Sequence, residues 1–153
     1  MIRESIGTSA HNDPDNYLLL GIAAAQGNLN LVDVLLNAGA EVNPKNSLVV
    51  EPLWYATTNG HLYIVRRLLN AGARIKSHSG RNMFLPAVVS GNAELVSVFL
   101  EHGARPNEVI QGWAKPLMLA ISLGHKEVAN RLRDAGADRL DGLELTHRFA
   151  MQT

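Results

Sequence analysis

Glu51-Pro52-Leu53-Trp54-Tyr55-Ala56-Thr57-Thr58-Asn59-Gly60-His61-Leu62-Tyr63-Ile64-Val65-Arg66-Arg67-Leu68-Leu69-Asn70-Ala71-Gly72-Ala73 reads as two short helices, each stopped by a glycine. An apolar stretch from Pro52 to Ala56 leads to Gly60, and a second series, Leu62, Ile64, Val65, Leu68 and Leu69, leads to Gly72. Pro52 suits a first helical turn, where its missing N–H is not needed. Gly60 and Gly72 suit the left-handed position just past a helix end. Tyr63, Arg66, Arg67 and Asn70 interrupt the second series and leave a polar strip, while the remaining positions face both the first helix and neighbouring segments. Helices this short are marginal alone, since an isolated helix persists in water only beyond about 12 to 15 residues. The pair therefore needs a neighbour to stack on.

Such neighbours lie on both sides. Gly60 belongs to a ladder of Gly27, Gly60, Gly91 and Gly124, and Gly72 to a ladder of Gly39, Gly72, Gly103 and Gly136, each followed by alanine; both step by 33, 31 and 33 residues. Two ladders sharing one shortened step describe a true period with a deletion in the connection before the third unit. The units run 13–45, 46–76, 77–107 and 108–140, together a repeat domain of 13–140, after an aperiodic segment, 1–12, expected to be loosely ordered. Leu36, Leu69 and Leu100 give way to Arg133 in the last unit, and Leu29, Leu62 and Ala93 give way to Lys126. A terminal unit has one face without a neighbour, so unit four reads as the C-terminal cap. The tail, 141–153, carries Leu143, Thr146, His147, Ala150 and Met151 at helical spacing and reads as a free tail or a capping helix.

On these residues the chain resembles the ankyrin repeat family, whose units run through a Thr-Pro-Leu-His tetrapeptide, paired alanines, Gly-His, an Ile/Val-Val pair, Leu-Leu and Gly-Ala-Asp. The resemblance covers about Asp13 to Leu140 and is closest at Pro52-Leu53-Trp54-Tyr55-Ala56, Gly60-His61-Leu62, Leu68-Leu69-Asn70-Ala71-Gly72-Ala73, Lys115-Pro116-Leu117-Met118-Leu119-Ala120 and Gly124-His125. It implies an all-α, ankyrin-type repeat solenoid of about four helix-turn-helix repeats with short hairpin-like junctions. Two departures stand out. The proline of unit three, Pro86, has moved three positions inward, so its first helix is expected to start late. The tetrapeptide histidine is replaced by Gly21, Trp54, Leu85 and Met118, and packing is expected to take over from its hydrogen bonds.

Composition narrows the chemistry. The 153 residues include 46% hydrophobic side chains, enough for a core, with 14 basic residues against 14 acidic ones and no cysteine. Without cysteine there is no disulfide scaffold, zinc ribbon or thiol nucleophile. The apolar run Tyr17 to Ala25 is too short to span a bilayer, and Met1 to Ala10 lacks the pattern of a secretory signal; a cytoplasmic protein is expected. His61 and His125 follow helix-ending glycines at positions where the resemblance implies structural histidines, His102 falls in the last turn of a second helix, and His11, His78 and His147 lie in connections or the tail. No pair has the spacing of a zinc site, Ser77-His78-Ser79 sits in a junction, and no phosphate-cradling glycine loop occurs. We expect no enzyme activity, no metal and no cofactor.

Arg66, Arg67, Arg74, Lys76 and Arg81, with Trp54 and Tyr63, are the best case for nucleic acid, but zero net charge gives up most of the counterion-release term, so a solvated face is the preferred reading. The expected function is therefore a protein-binding adaptor or inhibitor, monomeric when free, acting through the concave groove of a solenoid. A toxin- or enzyme-neutralising subunit is the first alternative and a nucleic-acid-associated protein the second. Carried over from the family position by position, contacts fall on Tyr17, Val50 and Arg81 before the tetrapeptide and on Gln26, Asn59, Ser90 and Leu123 before each helix-ending glycine. Leu48, Val49, Val50 and Trp113 join them as apolar residues in junctions, and Trp54 as an aromatic at the replaced histidine position.

Overall fold

The structure, a computed structural model, describes residues 14–45, 51–110, 112 and 114–137. They form eight helices: α1 (Pro14–Gln26), α2 (Leu29–Asn37), α3 (Pro52–Thr58), α4 (Leu62–Asn70), α5 (Phe84–Ser90), α6 (Ala93–Glu101), α7 (Pro116–Ser122) and α8 (Lys126–Asp134). Two isolated bridges, Lys76 with Asn82 and Ile110 with Ala114, are the sole extended pairing among the described residues. This is the all-α repeat class expected from the sequence. The chain divides into two compact units, 1–86 and 87–153. The segment 1–12, the tail 141–153 and the junction residues Leu48, Val49, Val50 and Trp113 lie outside the described residues.

In the first unit the glycine stops are real. Gly27 and Gly60 have φ of +76° and +75°, and Gly39 and Gly72 have +86° and +91°. Past each stop an amide reaches back to cap the helix: Asn28 N–H donates to Ala23 O at 3.0 Å, His61 N–H to Ala56 O at 2.9 Å, and Ala73 N–H to Leu68 O at 2.9 Å. This satisfies carbonyls that a helix end otherwise leaves orphaned. The first helices are not uniform, however. α1 has 13 residues and α3 has 7, because Leu19 stands where unit two has Pro52 and the helix runs back without interruption to Pro14. Tyr17, the residue read as preceding the tetrapeptide, consequently lies inside α1 and is half-buried.

α1 packs on α2 and α3, and α4 packs on α3 and α2. Leu20, Ala23, Ala24 and Val32 of the first pair and Ala56, Val65 and Leu68 of the second are completely buried. Alanines on α1 and α3 let the helices approach closely. The His61 ring fills the space beside Gly27: a Cβ there would sit 2.7 Å from His61 Cε1. His61 Nε2–H donates to Ala25 O at 3.1 Å. A carbonyl only accepts, which assigns the tautomer. Arg67 Nε meets Asp33 Oδ1 at 2.6 Å with both side chains about a third exposed or more, so the pair contributes at most about 1 kcal/mol. Asn43 bridges the two loops, its Nδ2 donating to Gly72 O at 2.9 Å and its Oδ1 accepting from Arg74 N–H at 2.8 Å. Leu19, Leu31 and Val34 are exposed on the first pair, whereas Pro52 and Ile64, at the positions of Leu19 and Leu31 one unit later, are buried.

The second unit repeats the grammar. Asn92 Oδ1 caps α6 by accepting from the N–H groups of Glu94 and Leu95 at 3.1 Å. α8 packs on α7 and α6, burying Leu95, Val96, Phe99, Ala120, Val128 and Leu132. His125 lies against Gly91 and its Nε2–H donates to Val89 O at 2.9 Å, the same device as His61. Ile110 and Ala114 exchange both backbone bonds around Gly112, a hairpin-like junction as expected. His102 is the residue just past α6, where Nδ1–H donates to Val98 O at 2.7 Å. α5, which spans the boundary of the two units, starts at Phe84, one residue later than the position matching Pro52. Asn82 Oδ1 accepts from Phe84 N–H at 2.9 Å, so a side-chain cap does there what proline does in units two and four.

Candidate functional site

Within the first unit, α1 and α3 leave a groove of about 320 Å³ lined by Tyr17, Leu18, Gly21, Ile22, Ala25, Gln26 and Tyr55. Its origin is the pattern of α1: Leu20, Ala23 and Ala24 turn inward, so Leu18 and Ile22 remain 52% and 44% exposed. Gly21 stands where the tetrapeptide histidine was expected, and the Tyr55 ring occupies the space, its Cε2 3.7 Å from where a Cβ of Gly21 would be. The lining carries no charged side chain, and only the two tyrosine hydroxyls and the Gln26 amide offer side-chain hydrogen bonds.

Further along the same unit, Trp54, Glu51 and Arg81 form a cluster. Arg81 Nη1 is 3.3 Å from Glu51 Oε2, and its guanidinium carbon lies 5.1 Å from the centre of the Trp54 ring. Arg81 is itself held by the turn before α5, where its N–H donates to Ser77 Oγ at 2.9 Å and its carbonyl accepts from Ser77 N–H at 2.9 Å. A guanidinium pinned between a carboxylate and an indole face is pre-organised, which lowers the entropy cost of using it in an interface.

The other basic side chains of this region are engaged within the chain. Arg67 is paired with Asp33, and Arg74 Nη1 lies 3.2 Å from His78 Nδ1. Among the described residues no three histidine, aspartate or glutamate side chains come together as a metal site would require. No described helix is long and apolar enough to cross a membrane.

The remaining sequence-derived positions separate into two groups. Asn59 does not simply face solvent: its Nδ2 donates to Ala25 O at 3.0 Å, sharing that carbonyl with His61. Gln26 and Tyr17 do line the groove. In the second unit, Ser90 ends α5 with its Oγ donating to Ala87 O at 2.8 Å, and Leu123 caps α7 with its side chain 46% exposed. Leu18, Ile22 and Tyr55 were missed by the sequence reading. The signal for the first two was present as an apolar excess, Leu18-Leu19-Leu20 and Ile22, wider than one buried stripe needs.

The ankyrin-repeat family model matches the chain in three overlapping copies, at residues 2–79, 19–110 and 53–141. The chain belongs to the ankyrin repeat family. No curated protein matches it significantly. Ankyrin repeats are generally protein-interaction modules, and the family is typically non-catalytic. The glycine stops and helix pairs described above lie within the matched residues, whereas Gly21 with Tyr55, and Trp54 with Arg81, occupy or adjoin positions where this chain departs from the family tetrapeptide.

Proposed function

We propose that this ankyrin chain is a non-catalytic adaptor or inhibitor whose first unit binds another protein through the α1–α3 groove and the adjoining Trp54–Arg81–Glu51 cluster. The observation that carries the reading is the groove's chemistry: apolar walls, two tyrosines and no charge. A partner's apolar side chains lose nothing by entering it, whereas a charged group there would be desolvated without a counterion. Arg81 adds a fixed cation beside the aromatic Trp54, a pairing typical of interface hot spots. Tyr17, Gln26, Trp54 and Arg81 are the sequence-derived residues retained in this proposal, joined by Leu18, Ile22 and Tyr55.

The test is a binding titration with the partner captured from its native source. Ile22→Asp and Arg81→Gln are each expected to weaken binding at least about tenfold, about 1.4 kcal/mol, with the melting temperature of Ile22→Asp close to the parent because Ile22 is 44% exposed, and that of Arg81→Gln lower because Glu51, its side chain only 14% exposed, loses its guanidinium partner. Unchanged affinity in both variants removes the groove from the proposal. The narrower reading, a subunit that neutralises a toxin or enzyme by covering its active site, predicts in addition that one stoichiometric enzyme is captured and inhibited. The nucleic-acid reading draws on the same basic residues; the pairing of Arg67 with Asp33 and the zero formal net charge of the chain weigh against it. A salt-sensitive complex with oligonucleotides would revive it.

A further inference from the structure

The outer face of the last helix pair, in the second unit, carries a groove of about 450 Å³ whose lining includes Ala120, Ile121, Gly124, Lys126, Ala129 and Arg133. Comparison along the repeat shows what this face leaves uncovered. Ile121 occupies the position held by Ala24, Thr57 and Val88, all completely buried, yet it is 47% exposed. Gly124 occupies the position of Gly27 and Gly91, against each of which a histidine ring is seated with its nearest atom 2.7 Å from the added Cβ; around Gly124, as around Gly60 at the same position, nothing lies within 4 Å, so the repeat leaves room for a ring there without requiring one.

We propose that residues 138–153 of this chain fill the groove. They follow directly on Ala137, which closes the turn after α8. Leu143, Thr146, His147, Ala150 and Met151 recur at the spacing of one helix face, and they supply what the groove lacks: apolar groups for Ile121 and Ala129, and an imidazole of the kind that seats beside Gly27 and Gly91. The charges are complementary as well. Lys126 and Arg133 line the groove, and in the segment Asp138, Asp141 and Glu144 outnumber the basic Arg139 and Arg148. The segment thereby closes an end of the repeat that would otherwise stay open to self-association.

Because the chain has no cysteine, the full chain with Ile121→Cys can be combined in turn with Leu143→Cys, His147→Cys and Met151→Cys, leaving only two thiols in each protein. Under mild oxidation at least one pair is expected to form an intrachain disulfide ten or more times faster in native buffer than in denaturant, since a docked segment raises the effective thiol concentration. Equal rates in the two conditions for all three pairs, or disulfides that join two chains instead, would overturn the proposal, the second outcome assigning the face to another copy.

Discussion

Leu68→Ala is expected to destabilise the protein by about 2 to 5 kcal/mol, the range for truncating a large buried aliphatic side chain. Leu68 is completely buried on α4, a helix of 9 residues that has no stability of its own at that length. α4 packs on α3 and α2, so a cavity at a completely buried residue of this helix is not closed without moving a whole helix. Urea denaturation followed by circular dichroism measures the effect. Tyr63→Ala on the same helix is the internal control: with 73% of the residue exposed, it should stay within about 0.5 kcal/mol of the parent. A small loss at Leu68 alongside a large one at Tyr63 would mean that the helix face is wrongly placed.

The second large effect separates backbone strain from packing at chemically identical residues. Gly27 and Gly60 share a φ near +75°, so alanine at either pays the left-handed penalty of roughly 1 to 2 kcal/mol. Around Gly60 nothing lies within 4 Å, whereas at Gly27 the new methyl would meet the His61 ring at 2.7 to 3.1 Å. Displacing that ring also breaks its bond to Ala25 O; the carbonyl keeps Asn59 Nδ2 as a partner, so the loss falls on the part-buried imidazole. Gly27→Ala is therefore expected to cost about 1 to 3 kcal/mol more than Gly60→Ala. In a His61→Ala background that excess should vanish, because the obstacle has gone. An equal cost for the two glycines in the parent would show that the ring is not seated where it is described.

Both predictions depend on features of different legibility. The glycine stops and the second helices could be read directly: a left-handed residue is a local backbone requirement, and nine residues suffice to display a helical period. The late start of α5 followed from the displaced Pro86. The length of α1 did not, because the absence of a proline at Leu19 removes a stop instead of announcing one, so Tyr17, read as the residue before the tetrapeptide, lies inside the helix. Asn59 was assigned to a contact surface by analogy of position, while its amide is engaged by Ala25 O 34 residues earlier.

The amino-acid sequence by itself determined the repeat, the places where helices end, the buried series and the family, since each rests on neighbours within a turn or two or on a period written into the chain. Only the tertiary structure decided which side chains meet. Tyr55 over Gly21, Arg81 between Glu51 and Trp54, and the histidines beside Gly27 and Gly91 join residues about one repeat apart, a separation at which contact is set by how one helix pair stacks on the next and no local pattern records it.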